Sequence, residues 1–252
     1  NAAVKRSLSG RTVIITRPRD ASARLAAELR ARGARVVFAP LIRTVPPRSW
    51  KALDMALKNI DRYDAVVFSS ANAVAFFFAR IKKVLEGKPV SPRILAAVGA
   101  STAKAAAAHG WRCGVVPEDS RAVGLARALR LPRGTRGRIP RAEGGLDVLP
   151  NALTAAGARV TTATAYRTIA DKAGRRVLRR ALALGADAVC FASGSAVKAL
   201  GPRGIRPARA VAIGPTTAAA MRAQGMTPAA IAARPDAGAF ARAVERALGR
   251  KP

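Results

Sequence analysis

The sequence has few of the residues on which most enzymes rely. Its 252 residues include one histidine, His109, and two cysteines, Cys113 and Cys190, which lie far apart and show no CxxC spacing. A Ser/His/Asp triad, a histidine-based metal site and a zinc or iron–sulfur centre therefore have little support. No GxGxxG motif follows a predicted strand and no GxxxxGK(S/T) motif occurs, so dinucleotide and triphosphate binding are weakly supported too.

Long hydrophobic runs are also absent. No apolar stretch approaches the length needed to cross a bilayer, and residues 1–10 lack the hydrophobic region of a signal peptide. We therefore expect a soluble, cytoplasmic protein that does not contact a membrane. The two cysteines lie in apolar, strand-like contexts, Cys113 at the start of a strand predicted at residues 113–116. Such contexts are typical of reduced, buried thiols in an intracellular protein. We expect no disulfide between them.

Acidic residues are scarce, with 14 Asp plus Glu against 45 Lys plus Arg and a formal net charge of +31. A field of that sign attracts anionic ligands, and it is equally typical of a nucleic-acid-binding protein. However, the basic residues are scattered along nearly every predicted helix rather than gathered in one block. This distribution favours solvated helix faces over a dedicated groove, so we expect nucleic acid to bind only adventitiously.

An internal duplication organises what the chain does contain. Residues 64–74 read DAVVFSSANAV, and residues 187–197, which begin 123 positions later, read DAVCFASGSAV. The opening segment is repeated as well, since Arg17 corresponds to Arg141. In both 64–74 and 187–197 a short apolar run without polar alternation predicts a strand that helices cover on both faces.

Strands alternate with helices along the chain, which predicts an α/β fold with two parallel, helix-covered sheets. Two proline-flanked or extended stretches, 40–44 and 164–169, follow the repeated opening segment and predict connecting strands between two lobes. The first lobe is then built from residues 1–39 and 170–252, and the second from residues 45–163. Simple tandem domains are the alternative.

Small polar residues and glycines follow the predicted strands where each strand ends. In an open α/β sheet, ligands bind at the carboxyl ends of the strands, and the N–H groups at helix starts bind anions. Taken alone, each hydroxyl is more typical of a helix cap. Together they predict a site for a large polyanion, with Ser69, Ser70, Asn72, Gly99, Ser101, Thr102, Ser193, Ser195, Gly214, Thr216 and Thr217 as candidates.

Three further residues stand out beside these polar groups. Arg17 and Arg141 add positive charge at equivalent positions of the two copies, although an ordinary surface cation is about equally expected in so basic a chain. Tyr166 replaces Ile42 of the first copy on the predicted connecting strand. We expect its phenol either to enter a ligand cleft or to pack with its hydroxyl in water.

Short motifs along the chain together resemble the uroporphyrinogen-III synthase family. Each is short, but their order and spacing cover nearly the whole chain. The resemblance implies two flavodoxin-like lobes joined by a two-stranded β ladder, in a monomer that uses no cofactor. The motifs are Thr16-Arg17-Pro18, Phe68-Ser69-Ser70-Ala71-Asn72-Ala73-Val74, Val98-Gly99 with Thr102-Ala103, Pro140-Arg141-Ala142-Glu143, Ala165-Tyr166-Arg167-Thr168 and Ala212-Ile213-Gly214-Pro215-Thr216-Thr217-Ala218.

The resemblance also implies a reaction. The substrate would be hydroxymethylbilane, a linear tetrapyrrole polycarboxylate, which loses water and closes through a spiro intermediate that inverts its last ring. The chain would then be a cyclising hydro-lyase of heme biosynthesis, in transient contact with the preceding bilane-forming enzyme. Tyr166 matches the family's tyrosine near the leaving group, which makes it the candidate general acid. The alternative is a non-catalytic, two-lobed protein that binds polyanions or nucleic acid.

Overall fold

The computed structural model describes residues 7–86, 92–119, 121–201 and 204–249. Ten strands lie in these ranges: β1 (Thr12–Ile15), β2 (Arg35–Phe38), β3 (Ile42–Val45), β4 (Ala65–Phe68), β5 (Ile94–Ala97), β6 (Arg136–Ala142), β7 (Arg159–Ala170), β8 (Ala188–Phe191), β9 (Arg209–Ala212) and β10 (Ala230–Ile231). The α-helices there are α1 (Ala23–Ala31), α2 (Lys51–Lys58), α3 (Ala71–Val84), α4 (Ala100–Ala107), α5 (Ala122–Ala128), α6 (Val148–Ala155), α7 (Lys172–Ala183), α8 (Gly194–Lys198), α9 (Pro215–Arg222) and α10 (Ala237–Leu248).

The chain divides into two compact units. Unit 1 comprises Asn1–Arg43 and Ile169–Pro252, and unit 2 comprises Thr44–Thr168. The first sheet has the strand order β10-β9-β8-β1-β2, and the second has the order β3-β7-β6-β4-β5. The prediction of an α/β fold with two parallel, helix-covered sheets is confirmed.

The central strands of unit 1 are buried on both faces. Strand β1 pairs in parallel with β8, with Val13 opposite Ala188 and Ile14 opposite Val189. Ile14 and Val189 pack into one apolar layer, whereas Val13 and Ala188 pack into the layer on the other side of the sheet. Because helices cover both layers, these strands carry no polar alternation.

Unit 2 is built in the same way but has a more aromatic core. Strand β4 pairs in parallel with β5 and β6. Phe68 at the end of β4 meets Phe77 of α3 edge to face, with their ring centroids 5.3 Å apart. Trp111 packs against the same two rings. A strand predicted at residues 113–116 is wrong, since only an isolated bridge joins Val115 to Ala96 before Pro117 interrupts the chain.

An aspartate anchors the start of a central strand in each unit. In unit 1, Asp187 accepts hydrogen bonds from the Thr12 N–H and from the Arg11 guanidinium, both at 2.8 Å. In unit 2, Asp64 accepts from the Arg136 N–H at 2.9 Å and from its guanidinium at 3.3 Å. These bonds from Arg136 lower the pKa of the Asp64 carboxyl. Each aspartate therefore ties a strand of one sequence copy to a strand of the other.

Some of the many arginines stabilise the fold directly. On α7, Arg175 donates to the Ala199 carbonyl at 2.6 Å, and Arg179 donates to the Gly204 carbonyl at 2.6 Å. These carbonyls lie at and beyond the C-terminal end of α8, where helix carbonyls lack partners within the helix. Two arginines of α7 thus bind carbonyls at the C-terminal end of α8 and in the segment that follows it.

Candidate active site

The carboxyl end of β4 in unit 2 leads directly into α3 through Ser69 and Ser70. Ser70 has extended backbone angles and is the N-cap of α3, and its Oγ accepts from the Ala73 N–H at 3.1 Å. Ser69 is half-buried, and Asn72 is exposed in the first helical turn. Ser70 is therefore a helix cap, as its residue type predicts.

Tyr166 lies on β7 at a β-bulge. Arg141 on β6 pairs with Thr164, but the next residue, Ala142, pairs with Tyr166, so Ala165 is an extra residue on β7. The Tyr166 carbonyl then accepts from the Glu143 N–H at 2.7 Å, beyond the end of β6. Bulges of this kind turn a side chain toward a new direction and are frequent beside active sites.

The Tyr166 side chain is held at both its ring and its hydroxyl by α3. Its Oη lies 3.1 Å from the Ser70 Oγ, and either atom is able to donate. Its ring stacks on Phe76, with the centroids 5.6 Å apart and the planes 15° from parallel. The side chain is only 8% exposed. Tyr166 is therefore a packed residue whose hydroxyl meets the N-terminus of a helix.

The next strand end in unit 2 carries Gly99, Ser101 and Thr102. Gly99 is buried and is the N-cap of α4, without a side chain to cover the first N–H groups of that helix. Ser101 is exposed, whereas Thr102 is buried. The carboxyl ends of β4, β5, β6 and β7 in this sheet thus carry all the candidate residues of unit 2.

Arg141, at the end of β6, already has an acidic partner. It donates to Asp147 at 2.6 Å and to the Leu146 carbonyl at 3.3 Å, and 21% of its side chain is exposed. Asp147 itself is 62% exposed. A ligand carboxylate that binds Arg141 would therefore compete with Asp147 for the guanidinium charge.

Unit 1 repeats the strand-to-helix arrangement at β8 and β9. Ser193 is the N-cap of α8 and accepts from the Ala196 N–H at 3.2 Å, and Ser195 is exposed in the first turn. Gly214 is the N-cap of α9, and a Cβ added there would meet nothing within 4 Å. Thr216 is exposed and Thr217 is buried in the first turn of α9.

The candidate residues thus form two sets, one at the strand ends of each unit. Unit 1 also contributes the exposed Arg17, which follows β1. Sequence reasoning missed Phe76 and Asp147. Phe76 was detectable as the first of three consecutive phenylalanines, 76–78, shortly after the repeated segment. Asp147 was detectable as one of few acids and as a near neighbour of Arg141 in the sequence.

The ranges that the structure describes give no support for metal or thiol chemistry. They contain no group of three or more His, Cys, Asp or Glu residues placed to hold a metal ion. Both cysteines are free, and burial raises the pKa of each thiol above its ordinary value, so they are poor nucleophiles. Within those same ranges, no helix combines the length and apolar character required to cross a membrane.

Comparisons with known proteins agree on one family. A family model described as uroporphyrinogen-III synthase HemD matches residues 23–242. A uroporphyrinogen-III synthase from Synechococcus elongatus is 35% identical over 163 residues, which cover 64% of this chain and 62% of that protein. A putative uroporphyrinogen-III synthase from Methanothermobacter thermautotrophicus is 33% identical over 156 residues, which cover 61% of each protein. The chain thus spans about three fifths of the length of these two relatives.

A solved structure shares the fold. The crystal structure of a mutant uroporphyrinogen III synthase from the extremely thermophilic bacterium Thermus thermophilus matches with a TM-score of 0.65 and 24% identity, over 95% of this chain and 99% of that chain. At this identity the likeness bears on the fold alone. The family model, however, covers far more than half of the chain. The chain therefore belongs to the uroporphyrinogen-III synthase family.

Proposed function

We propose that this protein is a uroporphyrinogen-III synthase that cyclises hydroxymethylbilane, inverts its last pyrrole ring and releases water, as a step of heme biosynthesis. The observation that carries the proposal is the buried Tyr166 hydroxyl, held 3.1 Å from Ser70 at a strand end of unit 2, in a chain of this family. The names of the relatives support the same activity.

The reaction needs positioning more than strong acids or bases. Left alone, the linear bilane closes without inversion, so a catalyst must fold it until the substituted carbon of the last ring is nearest to the reactive methylene. Holding reactants in such a geometry lowers the barrier without covalent chemistry. This requirement agrees with a chain that has one histidine and few acidic residues.

Tyr166 would assist departure of the hydroxyl as a general acid. The C–O bond of the hydroxymethyl group breaks, and the phenolic proton joins the departing oxygen to give water. The phenol oxygen keeps the electron pair of its O–H bond, and the substrate becomes an azafulvene-type cation. The proton lost from the ring carbon after final closure restores the balance, so the net change is loss of one water.

The strand-end groups would hold the substrate's carboxylates. In unit 2, Ser69, Asn72, Gly99, Ser101 and Thr102 lie at the N-termini of α3 and α4, where unpaired N–H groups favour anions. In unit 1, Ser193, Ser195, Gly214, Thr216 and Thr217 occupy the corresponding places before and within α8 and α9. We propose that the residues of both sets, with Arg17 and Arg141, bind substrate carboxylates.

We also propose that the enzyme acts as a cytoplasmic monomer that receives its substrate in transient contact with the preceding bilane-forming enzyme. Hydroxymethylbilane closes spontaneously, so direct delivery would limit loss to the uninverted product. The positive charge would favour encounter with an anionic substrate through long-range attraction.

Product analysis tests the proposed function. Enzymatically prepared hydroxymethylbilane is incubated with the protein, with heat-denatured protein and with buffer alone, and the two product isomers are separated after oxidation to porphyrins. We expect the ring-inverted isomer only with native protein. If native protein yields just the uninverted isomer, the proposed function is wrong, and tight, steeply salt-dependent DNA binding would then favour the polyanion-binding alternative.

A further inference from the structure

The hydrogen-bonding capacity of Ser70 restricts what this residue is able to do. A serine hydroxyl has one proton to donate and two lone pairs to accept. One lone pair of the Ser70 Oγ is taken by the Ala73 N–H at 3.1 Å, and the same oxygen lies 3.1 Å from the Tyr166 Oη. The single proton of Ser70 can therefore go to Tyr166 or to a ligand, but not to both.

The direction of this hydrogen bond decides whether Tyr166 is free to act as an acid. If Tyr166 donates to Ser70, its proton is occupied and points away from a substrate. If Ser70 donates to Tyr166, the phenolic proton is free for the departing hydroxyl. After that proton leaves, the phenolate accepts a charge-assisted hydrogen bond from Ser70, which is stronger than the neutral bond it replaces.

We propose that Ser70 is a positioning residue that donates its hydroxyl proton to the Tyr166 oxygen and stabilises the phenolate, rather than a ligand of a substrate carboxylate. The inference deepens the proposed function and rests on it. Ser70 keeps its own proton throughout, while the Tyr166 proton leaves with the hydroxyl as water.

The helix α3 makes Ser70 suited to this role. The Ala73 N–H belongs to the first turn of a 14-residue helix, whose N-terminus carries a partial positive charge. A bond from that N–H polarises the Ser70 O–H and strengthens its donation to Tyr166. Phe76 of the same helix fixes the plane of the Tyr166 ring. One rigid element therefore holds both the ring and the oxygen of the tyrosine.

The sequence repeat provides a serine that caps a helix without a tyrosine beside it. Ser193, the counterpart of Ser70, caps α8 with nearly the same backbone angles, φ −163° and ψ 151° against φ −163° and ψ 154°. Ser193 lies in unit 1, which carries Ile42 where unit 2 carries Tyr166. A serine at this position thus suffices for a cap without a tyrosine, and the contact with Tyr166 is an addition in unit 2.

Three substitutions of Ser70 test the proposal by steady-state kinetics. Ser70→Thr keeps the cap and the donor, and we expect it to retain at least a third of the wild-type kcat. Ser70→Asp keeps an acceptor for the Ala73 N–H but has no proton to donate, so we expect kcat to fall about tenfold to a hundredfold. Ser70→Ala should lose a similar factor in kcat, with KM changed less than about threefold. A residue that bound a carboxylate would instead raise KM.

A double-substitution cycle with Tyr166→Phe shows whether Ser70 acts through the tyrosine. In the Tyr166→Phe background we expect Ser70→Ala to change kcat less than about twofold. An undiminished loss in that background would overturn the proposal, as would full activity of Ser70→Asp. The unfolding midpoint of Ser193→Ala, compared with that of Ser70→Ala, gives the cost of losing the cap alone.

A measurement that needs no turnover keeps this inference distinct from the proposed function. The chain has two tyrosines, so in a Tyr63→Phe background the Raman tyrosine doublet reports on Tyr166 alone. We expect a phenol oxygen that accepts a hydrogen bond, and loss of that signature in Ser70→Ala. An unchanged doublet would overturn the role of Ser70 even in an active enzyme, whereas the expected doublet in a protein without synthase activity would reject only the proposed function.

Discussion

The two units share a scaffold and differ in the side chains beside one helix cap. Ser70 and Ser193 cap α3 and α8 in the same way, but Phe76 and Tyr166 of unit 2 correspond to Ala199 and Ile42 of unit 1. Unit 2 therefore places a tyrosine hydroxyl and a stacked ring beside its capping serine, whereas the corresponding positions of unit 1 hold an isoleucine and an alanine. The comparison thus separates the helix caps, which both units share, from the tyrosine, to which we assign the proposed chemistry.

The aspartate–arginine ion pairs that anchor a central strand in each unit also differ, in their burial and in their length. Asp187 and its partner Arg11 are about four-fifths buried, and their ion pair measures 2.8 Å. Asp64 and Arg136 are 34% and 52% exposed and lie 3.3 Å apart. An aspartate–arginine pair thus recurs in both units, but it is more buried and shorter in unit 1.

The largest expected effect comes from removing the tyrosine hydroxyl that unit 1 lacks. Tyr166→Phe deletes only the hydroxyl and leaves the stack on Phe76, so we expect kcat to fall about a hundredfold with little change in KM. Tyr63→Phe is the matched control, because its hydroxyl contacts Arg138 instead of Ser70. Equal turnover of the two variants would remove Tyr166 from the mechanism.

The second prediction compares how much Asp187 and Asp64 contribute to stability. Asp187→Asn removes a charged acceptor of two hydrogen bonds in a mostly buried place, and we expect it to lower the free energy of unfolding by about 1–3 kcal/mol. Asp64→Asn should cost less, since its partner is half exposed and its bonds to the guanidinium are longer. Urea unfolding of both variants checks this order, and a larger loss from Asp64→Asn would reverse the interpretation.

A smaller effect concerns the two equivalent arginines. Arg141 is held by Asp147, whereas the residue six positions after Arg17 is Ala23. Asp147→Asn should release Arg141 for a substrate carboxylate and lower KM about twofold to fivefold, as the loss of an exposed ion pair allows. Steady-state kinetics at low and high salt measure this, and a raised KM would mean that Asp147 orders the site instead of competing with the substrate.

The smallest expected effect is a pH dependence of stability that arises from one ion pair of unit 2. The Arg80 guanidinium, 2.6 Å from Asp54, holds the pKa of that carboxyl below its ordinary value. The pKa of Asp54 is lower in the folded than in the unfolded state, whose value is about 4. The ion pair therefore stabilises the fold fully above about pH 4, and this stabilisation is lost as the pH falls through the folded-state pKa. Wild type should exceed Asp54→Asn in stability by less than about 1 kcal/mol at pH 6 and converge with it at lower pH. Parallel curves across this range would contradict the assignment.

Much of the fold was predictable because its signals are local. Apolar runs such as Ala65–Phe68 and Ala188–Phe191, followed by a capping serine, predict a buried strand that leads into a helix, and both predictions are confirmed. The strand predicted at residues 113–116 failed for a reason that a local pattern does not reveal. Pairing there depends on the neighbouring strand, and it is limited to an isolated bridge between Val115 and Ala96.

The site was less predictable because its geometry is non-local. Tyr166 and the serines stood out as residue types, but the contact between Tyr166 and Ser70 joins positions 96 residues apart. It depends on the extra residue Ala165 in β7, and such a bulge has no signature in this stretch of sequence. The roles of the candidate residues in binding therefore stay predictions.

The most direct test of this account compares one variant from each unit in the same assay. Thr216, exposed at the start of α9 in unit 1, is proposed to bind a carboxylate, and Tyr166 is proposed to act on the leaving group. We predict that Thr216→Ala raises KM and leaves kcat within about twofold of wild type, while Tyr166→Phe lowers kcat and leaves KM nearly unchanged. If both variants change the same kinetic parameter, the assignment of binding to Thr216 and of chemistry to Tyr166 is contradicted.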